Sequence, residues 1–125
     1  MKTTIPTTLP DNLPECPYTF TAEWGIKFLT ALGADTSKIK SNWCWKEFNK
    51  HFKEYQKLFE QYLEKSTIGD PAWAAYLMHS HSGSSKNWAE GVIENATTGN
   101  PARAAYLMHE NCKSSKNWTE GVIEN

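Results

Sequence analysis

The segment GDPAWAAYLMHSHSGSSKNWAEGVIEN at 69–95 returns at 99–125 as GNPARAAYLMHENCKSSKNWTEGVIEN, with 20 of 27 positions identical. A 30-residue period kept this faithfully marks a repeat architecture, in which each unit is a small module that buries its apolar face by stacking on its neighbour.

Each copy reads as two helices. Asp70 or Asn100 is a natural N-cap, and Pro71 or Pro101 takes the first helical position, where a missing N–H costs nothing. The first helix then runs to about His81 or Asn111. Ser84 and Ser85, or Ser114 and Ser115, start a second helix that carries Trp88, Gly91, Val92 and Ile93, or their copies Trp118, Gly121, Val122 and Ile123. A glycine at mid-helix costs about 1 kcal/mol against alanine. Its presence in both copies predicts a close approach of two helix backbones there.

The seven differences fall at 70/100, 73/103, 80/110, 81/111, 82/112, 83/113 and 89/119. The first four lie on one side of the first helix, and Ala74, Ala75 and Met78 lie on the other, as a core-facing stripe requires. The variable side is therefore expected to face solvent. Trp73 and Arg103 would then be neighbours on an exposed ridge, a pairing enriched at binding hot spots. The competing reading packs Trp73 against whatever caps the first repeat.

Residues PAWAAYLM and PARAAYLM with the two EGVIEN segments resemble short two-helix repeats, HEAT-like in style, as found in bacterial and phage-type proteins. The resemblance covers 69–125 and implies a scaffold for binding proteins. With the chain's small size, it suggests an adaptor or a phage-type inhibitor, for instance an anti-defence factor that occludes a surface of a host protein complex.

Ahead of the repeats, residues 1–20 contain four prolines, Pro6, Pro10, Pro14 and Pro17, and read as an extended arm. The apolar residues Ile5, Leu9, Leu13, Tyr18 and Phe20 would let it lie over the body, or it is a mobile terminus; the pattern leaves both open. Residues 21–65 form an N-terminal helical part. Thr21 can cap a helix ending near Leu32, with Gly33 as its stop. A longer helix is expected from Ser41 or Asn42 to about Lys65. On it Trp45, Phe48, Phe52, Tyr55, Phe59 and Tyr62 share a stripe about 100° wide, opposite Lys46, Lys50, Lys53 and Lys57.

That lysine stripe carries the alternative function, contact with nucleic acid phosphates along about 16 Å of helix. Glu47 and Glu54 flank it and no aromatic interleaves it, so an ordinary solvated face is the simpler reading. The net charge of −1 argues against a polybasic arm. No apolar run approaches the roughly 18 residues of a membrane span, and the start lacks a signal peptide's apolar core. The expected location is the cytoplasm, the host's if the chain is phage-encoded.

Three cysteines, Cys16, Cys44 and Cys112, stand at wide spacings without a CxxC pair and read as free thiols. His109 and Cys112 share a helix face, with His79 one repeat earlier, but His81 and Cys112 have no counterparts, so no metal or other cofactor is expected. A Cys44 or Cys112 nucleophile with His51 or His109 lacks an orienting third group, and no P-loop, GxSxG or HExxH occurs. The chain is thus expected to be no enzyme.

Taken together, the residues predict an all-α protein: the arm (1–20), the helical part (21–65) and two stacked hairpins (69–98 and 99–125) on one continuous core. The expected function is non-enzymatic protein binding through Trp73, Tyr76, Arg103, Tyr106 and Trp118. At the far end Trp118, Val122 and Ile123 would be short of one neighbour, which offers a surface to a partner or to a second copy.

Overall fold

The computed structural model describes residues 8–37, 39–40, 47 and 53–124. Among these there are six α-helices and no strand: α1 (Ala22–Ala31), α2 (Gln56–Lys65), α3 (Pro71–Ser82), α4 (Lys86–Asn95), α5 (Pro101–Cys112) and α6 (Lys116–Glu124). The fold is all-α, as the sequence predicts.

Local chemistry sets the helix ends where the sequence places them. The Thr21 hydroxyl accepts from the Trp24 N–H, and the Asp70 and Asn100 side chains accept from the Trp73 and Arg103 N–H groups at 3.1 and 3.0 Å. Ser85 and Ser115 do the same for α4 and α6 through Trp88 and Trp118 at 3.0 and 3.1 Å. Each such cap contributes about 1 kcal/mol. Helices α3 and α5 both stop on a left-handed residue, Gly83 (φ 78°) and Lys113 (φ 61°). In each, the His79 or His109 ring donates from Nδ1 to the Ser84 or Ser114 carbonyl at 2.7 Å, because a carbonyl can only accept.

The expected uninterrupted helix from 42 to 65 is broken at its described end. Lys53–Tyr55 form a 3₁₀ turn, and α2 begins only at Gln56. This turn lies 30 residues before Gly83–Ser85, the turn between α3 and α4. The break in the expected helix thus falls one 30-residue spacing before that turn. Trp45, Phe48 and Phe52 lie outside the described residues, as do Ile5 and Pro6.

Helix α2 belongs to the same series as α4 and α6. Glu60, Glu64, Thr67, Gly69 and Pro71 recur as Glu90, Glu94, Thr97, Gly99 and Pro101. Both helices end in an extended C-cap, Ser66 and Ala96, whose N–H donates to Leu63 or Ile93 at 3.3 Å.

Two apolar clusters form the core. One joins α1, α2 and the inner end of α3 around Phe28, Leu32, Leu63 and Met78, with Trp24, Phe59 and Tyr62 in ring contact. The other joins α3 to α6 around Ala75, Ala89, Ile93, Ala104, Ala105 and Met108. The inward stripe of Ala74, Ala75 and Met78 is buried, as predicted.

Residues 8–20 lie over the body, which resolves the choice the sequence leaves open for this part of the arm. Leu9, Leu13 and Phe20 rest on the first cluster, and Cys16 is buried in it. The Tyr62 hydroxyl donates to the Pro14 carbonyl at 2.6 Å, and the Trp24 indole donates to the Glu15 carbonyl at 2.9 Å. The Asp70 N–H donates to the Pro17 carbonyl at 3.0 Å. Gly69 (φ 74°) is needed here, because a Cβ would overlap the Cys16 carbonyl. One unit on, a Cβ on Gly99 (φ 77°) would lie 2.7 Å from the Asp70 Cα. The arm thus stands on the α2–α3 turn as that turn stands on the α4–α5 turn.

The expectation for Gly91 and Gly121 is corrected. A Cβ at either would meet nothing within 4 Å, so no helix backbone approaches there. Gly91 instead lines a cleft of about 230 Å³ with Trp88, Ser66 and Asn95. The Trp88 indole N–H has no partner, but it is sealed from solvent and so cannot serve a ligand in that cleft.

Candidate protein-binding surface

Five polar or cation–ring contacts among the described residues join the first hairpin (α3–α4) to the second (α5–α6), the longest being Ser80 Oγ to Cys112 Sγ at 3.7 Å. The Ser114 hydroxyl donates to Glu90 Oε2 at 2.6 Å, and Asn111 Nδ2 donates to the Tyr76 hydroxyl at 2.9 Å. The Lys86 ammonium donates to the Lys113 carbonyl at 2.8 Å, and the Arg103 guanidinium lies 4.2 Å from the centre of the Trp73 ring. A cation on an indole face is worth about 0.5–1 kcal/mol at an exposed site. The serine-to-carboxylate bond is the strongest of the five, at about 1.5–3 kcal/mol for a hydrogen bond to a charged group.

The same serine bond joins α2 to the first hairpin. Ser84 Oγ donates to Glu60 Oε2 at 2.6 Å, and Gln56 Nε2 donates to both oxygens' owners at 3.1 Å. Sequence reasoning missed this fastening. Its signal is a glutamate followed 24 positions later by a serine, at 60/84 and again at 90/114.

Sequence-predicted residues divide by where this junction puts them. Trp73 and Arg103 do stand together, with Tyr76 in ring contact with Trp73 at 5.3 Å between centroids. Trp73 is half-buried and lies with the second cluster, not against α2. Tyr76 is buried, and Trp118 is half-buried with its indole N–H enclosed. Tyr106 is exposed. The variable side of the first helix faces solvent in the second copy, where Asn100, Arg103, Glu110 and Asn111 are exposed. In the first copy the prediction fails at Asp70 and Trp73, because the second hairpin is seated there.

The last hairpin presents the counterpart of the covered junction. Tyr76 is 9 % exposed and Ile93 0 %, whereas the identical Tyr106 and Ile123 are 53 % and 46 % exposed. Glu120, in the position of Glu90, is exposed and pairs with its own helix neighbour Lys116 at 3.9 Å. This face joins the aromatic, aliphatic and charged groups that an interface core and its rim require.

Other candidates are less concentrated. Lys53 and Lys57 are exposed beside the exposed Glu54, while Lys46 and Lys50 lie outside the described residues. Among the described residues no three His, Cys, Asp or Glu groups could hold a metal ion. His79 and His109 are engaged at their turns, His81 is exposed, and Cys112 meets the Ser80 hydroxyl at 3.7 Å. Cys16 is a free thiol whose pKa is pushed up to about 11 by burial, against a lowering contribution from the Ser66 hydroxyl. Such a thiol stays protonated at neutral pH and is a poor nucleophile. Burial likewise raises Tyr62, with the neighbouring Cys16 and Glu15 adding to the shift. Cys44 and His51 lie outside the described residues. No helix among those described is long and apolar enough to cross a membrane.

Comparison with protein-family models, with curated proteins and with solved structures found no match to this chain.

Proposed function

We propose that this chain is a small, non-enzymatic protein-binding module that engages a partner through the face of α5 and α6 bearing Tyr106 and Ile123, with the Trp73–Arg103 ridge at its edge. One observation carries the reading: two identical apolar side chains are covered in the first hairpin and uncovered in the second. A bare patch of this kind on a repeat is typically an interaction site. Tyr76 is held inside the junction by Asn111, and Trp118 is half-buried in the second cluster. The module acts by occupying its partner's surface, in the manner of an adaptor or an inhibitor; a phage-encoded inhibitor of a host defence complex is one role this mode of action suits.

The test is capture of partners from native cells by the tagged chain, with and without nuclease, alongside the Tyr106→Ser, Ile123→Ser variant and a Lys53→Glu, Lys57→Glu variant. The proposal expects a near-stoichiometric protein that survives nuclease and the lysine changes and is lost with the double serine variant. Loss on nuclease treatment and on lysine reversal would instead assign binding to the lysine stripe, through its phosphate contacts.

A further inference from the structure

Beyond the existence of a protein partner, the junction between the hairpins specifies its shape. Every group with which the first hairpin holds the second has a counterpart in place on the open face. Glu120 stands for Glu90, Tyr106 for Tyr76 and Lys116 for Lys86, all identical. Arg103 stands for Trp73 and Glu110 for Ser80, and the first of these two differences alters the charge that can sit against the ring position.

We infer that the face of α5 and α6 is a docking site for a helical hairpin on a partner protein, built like residues 101–115 but acidic at the position corresponding to Arg103. This rests on the protein-binding reading above and adds the partner's architecture and charge. The covered junction is the template. A hairpin seated in the same register would direct a serine from the residue after its left-handed turn to Glu120, as Ser114 reaches Glu90 at 2.6 Å. It would offer an amide to the Tyr106 hydroxyl, as Asn111 does to Tyr76 at 2.9 Å, and its turn carbonyl to Lys116, as Lys113 does to Lys86 at 2.8 Å. Small residues corresponding to Ala104 and Ala105, both fully buried in the existing junction, would cover Ile123.

Charge decides the position held by Arg103. In the existing junction a cation lies 4.2 Å from an indole. On the open face the exposed Arg103 occupies the indole's place, so an arginine arriving from a plain copy would meet a like charge, and a carboxylate would meet its complement. The face thereby discriminates against another copy of the hairpin that builds it.

The full chain, lengthened at its C-terminus by a second copy of residues 96–125, tests this at high effective concentration. Three forms are compared: the plain added copy, the added copy with Arg103→Glu, and the added copy with Arg103→Glu, Ser114→Ala and Asn111→Ala. The expected result is one cooperative transition at a higher Tm than the parent for the glutamate form, with Tyr106 protected. The plain copy should fall below it, and the triple form should lose most of the gain. An added hairpin that stays protease-sensitive in the glutamate form, with Tyr106 still accessible, overturns the inference. So does a plain copy that docks as well as the glutamate form, or a parent chain that covers Tyr106 by dimerising in solution. If the hairpin fails to dock while partner capture still depends on Tyr106 and Ile123, this inference falls and the protein-binding reading stands. If capture is independent of both residues, that reading falls.

Discussion

Replacing Gly91 and Gly121 by alanine should stabilise the protein. Both glycines sit inside helices, α4 and α6, where glycine is less favourable than alanine by about 1 kcal/mol because it surrenders more backbone freedom on folding. The added methyl meets nothing within 4 Å at either site, so no steric debit opposes the gain. Gly91 should deliver nearly the full amount. Gly121 lies in the last turn of α6, where the helix frays, and about half is expected. The sum of about 1.5 kcal/mol corresponds to a rise in Tm of about 5–9 °C for a domain of this size. Urea unfolding should show a higher midpoint at unchanged slope, with the two changes additive because the sites share no partner. Gly99→Ala is the internal contrast. At φ 77° with the Asp70 Cα 2.7 Å from the new Cβ, it should destabilise. If Gly91→Ala lowered stability, the space beside α4 would not be open and the reasoning about this cleft would be refuted.

Three other changes probe the junctions and the buried thiol. Ser114→Ala leaves the Glu90 carboxylate without its 2.6 Å donor and should cost about 2 kcal/mol in urea unfolding, with Ser84→Ala giving a similar loss through Glu60. Lys113→Gly should gain about 1 kcal/mol, because Lys113 holds a left-handed φ of 61° where the first hairpin has Gly83; equal or lower stability would show that the lysine side chain contributes at that turn. Cys16 binds its proton more tightly when folded, with a pKa of about 11 against an ordinary 9.0. Its contribution is therefore whole below about pH 9 and is lost as pH rises towards 11. In a Cys44→Ser, Cys112→Ser background, the ultraviolet absorbance of the thiolate should appear near pH 11, and an onset near pH 9 would mean that Cys16 is not buried.

Much of the fold is legible because its signals are local. Asp70, Asn100, Ser85 and Ser115 announce helix starts through their own side chains, and the alanine stripe declares its inward face by spacing alone. The Trp73–Arg103 contact also follows from the period, since equivalent positions in stacked units become neighbours. What the pattern hides is non-local. Glu90 and Ser114 each look like ordinary surface residues until folding brings them to 2.6 Å. Helix α2 is hard to place in the series because Leu58, Phe59 and Tyr62 replace Trp88, Ala89 and Val92, so its kinship survives mainly in the turn that follows. The repeated mid-helix glycine misleads because duplication copies a residue whether or not its environment demands it.

The way residues 14–17 rest on the α2–α3 turn has a consequence for assembly. Stacked units ordinarily have a head and a tail that fit one another, and a chain exposing both would add copies of itself into a fibre of unlimited length. Here the head is occupied by the arm, through the Pro17 carbonyl on the Asp70 N–H and the Pro14 carbonyl on Tyr62. Among the described residues the matching groups at the other end, Tyr106 and Ile123, are exposed. A further copy joining head-to-tail would have to displace the arm from the α2–α3 turn, so the arm acts as a stop against open-ended addition.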